Sequence, residues 1–175
     1  MMFNPKYHHR KSIRLKEYDY TNPNWYYVTI CTNDKVCCFG KIKNAKMVLN
    51  DYGKVVEEEW LKTKEIRKNI DLDYYVVMPN HFHGIIVIES SNVGAIRRIA
   101  PTKDKITLLP GSLGAIMGQF KSKVTKRIRN SGIPDYKWQC NFYEHIICNE
   151  KDLFFTRRYI ELNPMKWELD EYYNK

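Results

Sequence analysis

An α+β fold of the split βαβ kind, with the order β-α-β-β-α-β and a helix after it, follows from three features of the sequence. Short segments rich in aromatic and β-branched residues recur between turn signals. Two long segments carry apolar residues at helical spacing. A last helix ends against a proline, Pro164. Such an order builds a ferredoxin-like, antiparallel four-stranded sheet with both crossover helices on one face and the other face open to the last helix or a ligand.

Taken in order, Trp25-Tyr-Tyr-Val-Thr-Ile-Cys31 follows the turn-like Asn22-Pro23-Asn24 and reads as a buried strand. Asp51 is placed to cap a helix from about Tyr52 to Lys68, with Tyr52, Val56 and Trp60 on one face. Asp73–Met78 and His81–Ile88 are two strands separated by Pro79-Asn80, which suits an antiparallel hairpin. Residues 89–108 mix Ser, Asn, Gly, Pro, Arg and Lys without periodicity and predict a flexible surface loop. Ser112 caps a helix to about Arg129, where Leu113, Ile116, Phe120, Val124 and Ile128 form an apolar stripe. Trp138–Ile147 is expected as the fourth strand, and Asn149 opens the last helix through Leu162.

The chain has 175 residues, enough for one domain with a real core, so residues 1–175 are expected to form a single unit. Its net charge of +9 suits a partner that carries phosphates. Those charges gather in two places. Residues 1–20 form a basic arm with Lys6, Arg10, Lys11, Arg14 and Lys16, and the second helix carries Lys121, Lys123, Lys126 and Arg127. All nine are candidate DNA-binding residues. Tyr18, Tyr20, Trp25 and Tyr26 are either stacking platforms for unpaired bases or parts of the core.

Five cysteines without a CxxC pair, and no charged-then-apolar leader, read as reduced thiols in a cytoplasmic protein. No apolar run reaches the roughly 20 residues that cross a bilayer, so no membrane partner is expected.

Two groups of residues carry chemistry. His81 and His83 are two apart on a strand, so both imidazoles leave the same face, about 6–7 Å apart along the backbone. They can converge on one cation, or form a partly exposed hydrogen-bonded pair. Tyr159 and Asn163 are four apart on the last helix and share a face. They offer a phenol and an amide oxygen together, or they pack into the core and cap the helix. His145 and Glu144 read as structural or supporting residues.

Met78-Pro-Asn-His-Phe-His-Gly84 resembles the His-hydrophobe-His motif of the HUH-type single-tyrosine transposases, and Arg158-Tyr-Ile-Glu-Leu-Asn-Pro164 resembles their tyrosine helix. The REP-associated tyrosine transposase branch is the most similar. His9–Lys16, Tyr26–Thr32, Trp138-Gln139 and Tyr143–Ile147 extend the likeness in the same order. That resemblance implies an enzyme that cuts and rejoins single-stranded DNA through a 5′-phosphotyrosine link, leaving a free 3′-hydroxyl.

Carried onto this sequence, the resemblance makes Tyr159 the nucleophile and His81, His83 and Asn163 the holders of a divalent metal, Mg2+ or Mn2+. The implied partner is single-stranded DNA bearing a hairpin (a REP-like palindrome), and both a monomer and a homodimer are compatible with it. The residue types fit the chemistry. A tyrosine hydroxyl has a pKa near 10, so a cation on the phosphate is needed to withdraw charge and orient the attack. A mixed nitrogen and oxygen donor set suits Mn2+ and Mg2+, and no cysteine spacing offers a closed zinc site. Two other readings stay open: a domesticated module that binds structured nucleic acid without cutting it, and a metal-dependent hydrolase that uses water.

Overall fold

The computed structural model describes residues 18–90 and 109–173. The arm cations Lys6, Arg10, Lys11, Arg14 and Lys16, and nearly all of the expected loop, lie outside the described residues.

Strand β1 (Asn24–Cys31) is followed by the hairpin β2 (Gly40–Lys43) and β3 (Lys46–Leu49). Next come α1 (Asp51–Ile66), β4 (Ile70–Val77), β5 (His81–Ile88), α2 (Leu113–Asn130), β6 (Tyr143–Ile147) and α3 (Glu150–Leu162), then a 3-10 helix over Pro164–Leu169. The main sheet is antiparallel in the order β4-β5-β1-β6, which confirms the βαββαβ expectation.

Alternation along the central strands divides the molecule into two layers. Tyr26, Val28, Ile30, Phe82 and Ile86 point to one face and pack with Val56 and Trp60 of α1 and with Ile116, Phe120 and Val124 of α2. Tyr27 and Ile85 point to the other face, where they meet Ile147 of β6 and Ile160 of α3. His81 and His83 share the alternation of Ile85, so the sequence period alone sends both imidazoles to the α3 side. Gly84 leaves room on the first face: a Cβ there would lie 2.7 Å from the Trp60 ring and 2.8 Å from the Phe82 ring.

Several expectations need correction. The cap of α1 is Asn50, whose side chain accepts from the Gly53 amide, and not Asp51. The expected fourth strand is divided: Trp138 makes only an isolated bridge to Thr32, and regular pairing with β1 begins at Tyr143. The β2–β3 hairpin was not expected. Of the aromatics left open between stacking and core, Tyr26 proves fully buried in the core, and Tyr18 and Tyr20 pack against it with ring centroids 6.4 and 6.1 Å away. By contrast, Ser112 and Asn149 cap α2 and α3 as the sequence indicates, through bonds to Ala115 and Asp152.

Candidate metal and tyrosine site

The α3 face of the sheet brings together His81, His83, Tyr159 and Asn163, all within one chain. Both imidazoles are fully buried because β5 is a central strand covered by α3 and the segment after it. Their ring centroids are 4.5 Å apart.

The hydrogen-bond partners fix which nitrogen of His81 faces the site. Asn80 Nδ2 donates to two carbonyls, Lys35 O at 3.0 Å and Tyr172 O at 2.7 Å, which orients the amide. Asn80 Oδ1 must then accept from His81 Nδ1, 2.8 Å away, so the proton sits on Nδ1 and the Nε2 lone pair is left facing inward. His83 Nδ1 lies 2.9 Å from Thr29 Oγ1 and 2.7 Å from Tyr27 Oη. Thr29 donates its own proton to Tyr27, so its oxygen can accept a proton from His83 Nδ1, and the Asn163 amide nitrogen, a donor only, lies 3.4 Å from Nε2 and favours a lone pair there. That tautomer also leaves Nε2 as the inward lone pair.

A carboxylate joins them. The 3-10 helix turns the chain back after Pro164, buries Trp167 beside His81, and ends on Asp170. One donor atom each from His81, His83 and Asp170 lie within 4.8 Å of one another. Asn163 is 3% exposed, and its Nδ2 donates to Asp170 Oδ2 at 3.1 Å and lies 3.4 Å from His83 Nε2. Among the described residues, His81 Nε2 and Asn163 Oδ1 are buried without a hydrogen-bond partner. Buried polar atoms are normally satisfied, and two orphaned lone pairs beside a carboxylate are what a bound cation would complete. The donor set therefore fits a divalent ion.

Burial keeps these imidazoles neutral. It pulls His81 down to about 3, against support from Asn163, and it holds His83 well below the ordinary histidine value, with His81 adding to the effect. Neutral imidazole is the form that ligates metal. Tyr159 is 45% exposed, with its ring edge-on to His83 at 5.2 Å and to Tyr27 at 6.2 Å. Burial of its inner edge, reinforced by Asp170 and Glu171, pushes its hydroxyl up to about 12, with Asn163 and Tyr27 pulling the other way. The hydroxyl is thus protonated at neutral pH and needs help to attack.

Two anchors hold α3 over the pair, one at each sheet edge. On the β4 side a register shift between Leu72 and Tyr75 turns Asp73 and Tyr74 toward the helix. Arg157 Nε donates to Asp73 Oδ2 at 2.7 Å, and its guanidinium lies 5.7 Å from the Trp25 ring and 5.4 Å from Tyr74. On the β6 side, His145 Nε2 is 2.8 Å from Asp152 Oδ2. His145 is thus a helix anchor and stands outside the His81, His83, Asp170 group.

No family model matches the chain. A Haemophilus influenzae protein described as uncharacterized is 41% identical over 177 positions, covering 98% of this chain and 97% of its own length. The solved structure of a REP-associated tyrosine transposase bound to a REP hairpin has the same fold, with a TM-score of 0.56 and 21% identity over 90% of this chain and 77% of that one. A second Haemophilus influenzae protein, named as a "putative REP-associated tyrosine transposase", is 28% identical over 85% of this chain and 74% of its own length. The chain thus shares the fold of a REP-associated tyrosine transposase and is similar in sequence to a protein given that name.

Sequence reasoning missed three parts of this site. Asp170 stands 87 residues after His83 with no spacing to mark it. Asn80 reads from sequence as part of the strand break and of the His81-Phe-His83 motif without a role of its own, although an amide beside a His-x-His pair is a signal for an orienting partner. Tyr27 and Thr29 belong to a segment that reads only as a buried strand, with nothing in its pattern to mark them as partners of His83. Of the expected DNA contacts on α2, Arg127 spends its guanidinium on Glu58 and Glu59, at 2.7 and 2.8 Å, while Lys123 and Lys126 are exposed.

Proposed function

We propose that the protein cuts and rejoins single-stranded DNA beside a hairpin, with Tyr159 as the nucleophile and with His81, His83 and Asp170, assisted by Asn163, holding Mn2+ or Mg2+. The observation that carries this reading is the half-exposed Tyr159 ring standing 5.2 Å from the His83 ring, beside two buried lone pairs that have no partner among the described residues. The REP hairpin bound by the structural relative supports the hairpin substrate.

When bound, the cation would withdraw charge from the scissile phosphate and make phosphorus a better electrophile. The chain's own residues do the rest. His81 and His83 are kept neutral by burial and oriented by Asn80 and Thr29, so no proton has to leave before they ligate. Tyr159 attacks phosphorus through its hydroxyl oxygen, the P–O3′ bond breaks, and the strand's 5′ end stays on the tyrosine while a 3′-hydroxyl departs. Water is kept from the histidine side of the site by Tyr27, Trp167 and Tyr172. The ester keeps the energy of the broken phosphodiester for rejoining.

The test is a denaturing gel of the protein with 5′- and 3′-labelled hairpin oligonucleotides and Mn2+. A covalent adduct that carries the strand 3′ of the cut, and is lost in Tyr159→Phe and with chelator, is the expected result. Adduct formation by Tyr159→Phe would overturn the assignment of the nucleophile. Cleavage without any adduct would favour a water nucleophile. For the metal, Asp170→Asn should weaken Mn2+ binding by about tenfold or more in calorimetry, because the site loses its only carboxylate among the described ligands.

A further inference from the structure

On the other side of the sheet end from Tyr159, α2 and the segment after it enclose an open groove of about 480 Å³. Lys121, Lys126, Arg129 and Lys137 line it, and no acidic residue does. Among the described residues none of these four meets a carboxylate. Arg127, on the neighbouring face of α2, is neutralised by Glu58 and Glu59. The groove therefore gathers three of the helix's uncompensated cations, Lys121, Lys126 and Arg129, while Lys123 lies outside its lining.

Its walls are braced from within. Lys121 Nζ donates to Gln139 O at 2.6 Å and Cys140 O at 2.9 Å, and Arg129 Nε donates to Tyr136 O at 2.9 Å. Lys126 on the helix and Lys137 on the segment after it both line the groove with exposed side chains. From Lys121 to Arg129 the helix advances about 12 Å. That length spans more than one phosphate of a DNA strand, and it is ill suited to one small anion.

The groove borders the β1 end of the sheet. Its second wall is hydrogen-bonded along the end of β1, through Gln139 N to Cys31 O and Asn33 N to Lys137 O, each 2.9 Å. Cys31 pairs with His81 in the sheet. Just beyond, Tyr143 opens the edge strand β6 with its ring exposed and 6.3 Å from Tyr27. Phe155 lies one turn before Tyr159 on the same flank of α3 and is 58% exposed. Exposed rings on this route offer stacking faces that only unpaired bases can use.

We propose that this groove carries the phosphate backbone of the unpaired DNA strand leading to Tyr159, with Tyr143 and Phe155 as stacking platforms for its bases. It rests on the reading of Tyr159 as the centre of strand cutting, and it replaces Arg127 with Arg129 and Lys137 among the cations that meet DNA.

The test is fluorescence anisotropy of the full chain, with chelator present to prevent cutting, on a labelled mixed-sequence single-stranded DNA 20-mer, the matching duplex and the matching RNA. Lys126→Gln/Lys137→Gln should bind the single strand about tenfold more weakly and lower the salt slope by roughly 1.4, from about 0.7 per lost phosphate contact. Lys41→Gln/Lys43→Gln on the β2–β3 hairpin removes the same charge and should stay within about twofold of the parent. Phe155→Ala and Tyr143→Ala should each cost the single strand about fivefold or more and leave the duplex unchanged.

A groove variant with the parent's affinity and slope overturns the proposal, as does an equal loss in the hairpin control. A loss confined to duplex or RNA overturns the assignment to unpaired DNA. The two readings fail separately. If the adduct forms but the groove variants bind like the parent, only the groove is wrong; if the groove variants lose binding but no adduct forms, only the cutting centre is wrong.

Discussion

Asn80 Oδ1 accepts the Nδ1 proton of His81 at 2.8 Å, and the Asn80 amide is itself clamped by the Lys35 and Tyr172 carbonyls. One side chain thereby sets the tautomer of a histidine in the candidate metal site and ties the strand turn to the C-terminal segment that delivers Asp170.

Asn80→Ala should weaken Mn2+ binding by about 10–100-fold, the usual effect of removing an orienting partner of a ligating histidine. It should also lower stability by about 1–3 kcal/mol, because two buried carbonyls lose their donor. Calorimetric titration and urea denaturation separate the two effects. Unchanged metal affinity would show that Asn80 serves the fold alone.

Stability of the metal-free protein should fall as pH drops below about 6.5. The unfolded histidines take up protons near their ordinary value of 6.5, whereas His81 in the fold resists until about 3, and His83 is held down in the same direction. The unfolded state then binds more protons, so unfolding becomes easier with each step down in pH, by up to about 1.4 kcal/mol per unit per histidine. Glu59 and Asp71 are held below their ordinary 4.5 and 3.8, so the stability they give is present above those values and lost as pH falls further. Urea titrations between pH 7.5 and 5 therefore isolate the histidines, and a flat profile there would contradict their burial as neutral rings.

Arg157→Ala should loosen α3 at the β4 edge. It removes the Asp73 bond and the contacts with Trp25 and Tyr74, at a cost of about 1 kcal/mol. The rate of adduct formation should fall more than DNA affinity does, since the helix carries Tyr159 and the groove is elsewhere. Arg157→Lys should recover little, because an ammonium cannot present a flat face to both rings. Hydrogen exchange of the α3 amides, compared between the variants, measures the loosening directly.

Gly84→Ala should destabilise the protein by about 1–3 kcal/mol. The added methyl meets the Trp60 and Phe82 rings at under 3 Å, and both rings are fully buried with no free direction to move. Because Gly84 follows His83 on the same strand, any shift should also appear as weaker Mn2+ binding. Equal stability of variant and parent by urea denaturation would mean that the Trp60 ring yields.

Much of the site was legible in the chain itself because its signals are local. A two-residue strand period sends His81 and His83 to one face, and a four-residue helix period puts Tyr159 and Asn163 on one flank. Cap chemistry at Ser112 and Asn149 marked the starts of α2 and α3. The β2–β3 hairpin escaped because its turn residues, Asn44 and Ala45 with φ of 50° and 59°, lack the glycine that normally announces such a turn.

The tertiary structure alone decided the rest. The choice of Nε2 as the inward nitrogen of His81 depends on carbonyls at positions 35 and 172, and the carboxylate of the site comes from a segment that ends far along the chain at Asp170. Neither is encoded by spacing. Each follows from where the sheet order β4-β5-β1-β6 and the turn at Pro164 place distant residues, and contacts of that kind exist only once the layers have packed.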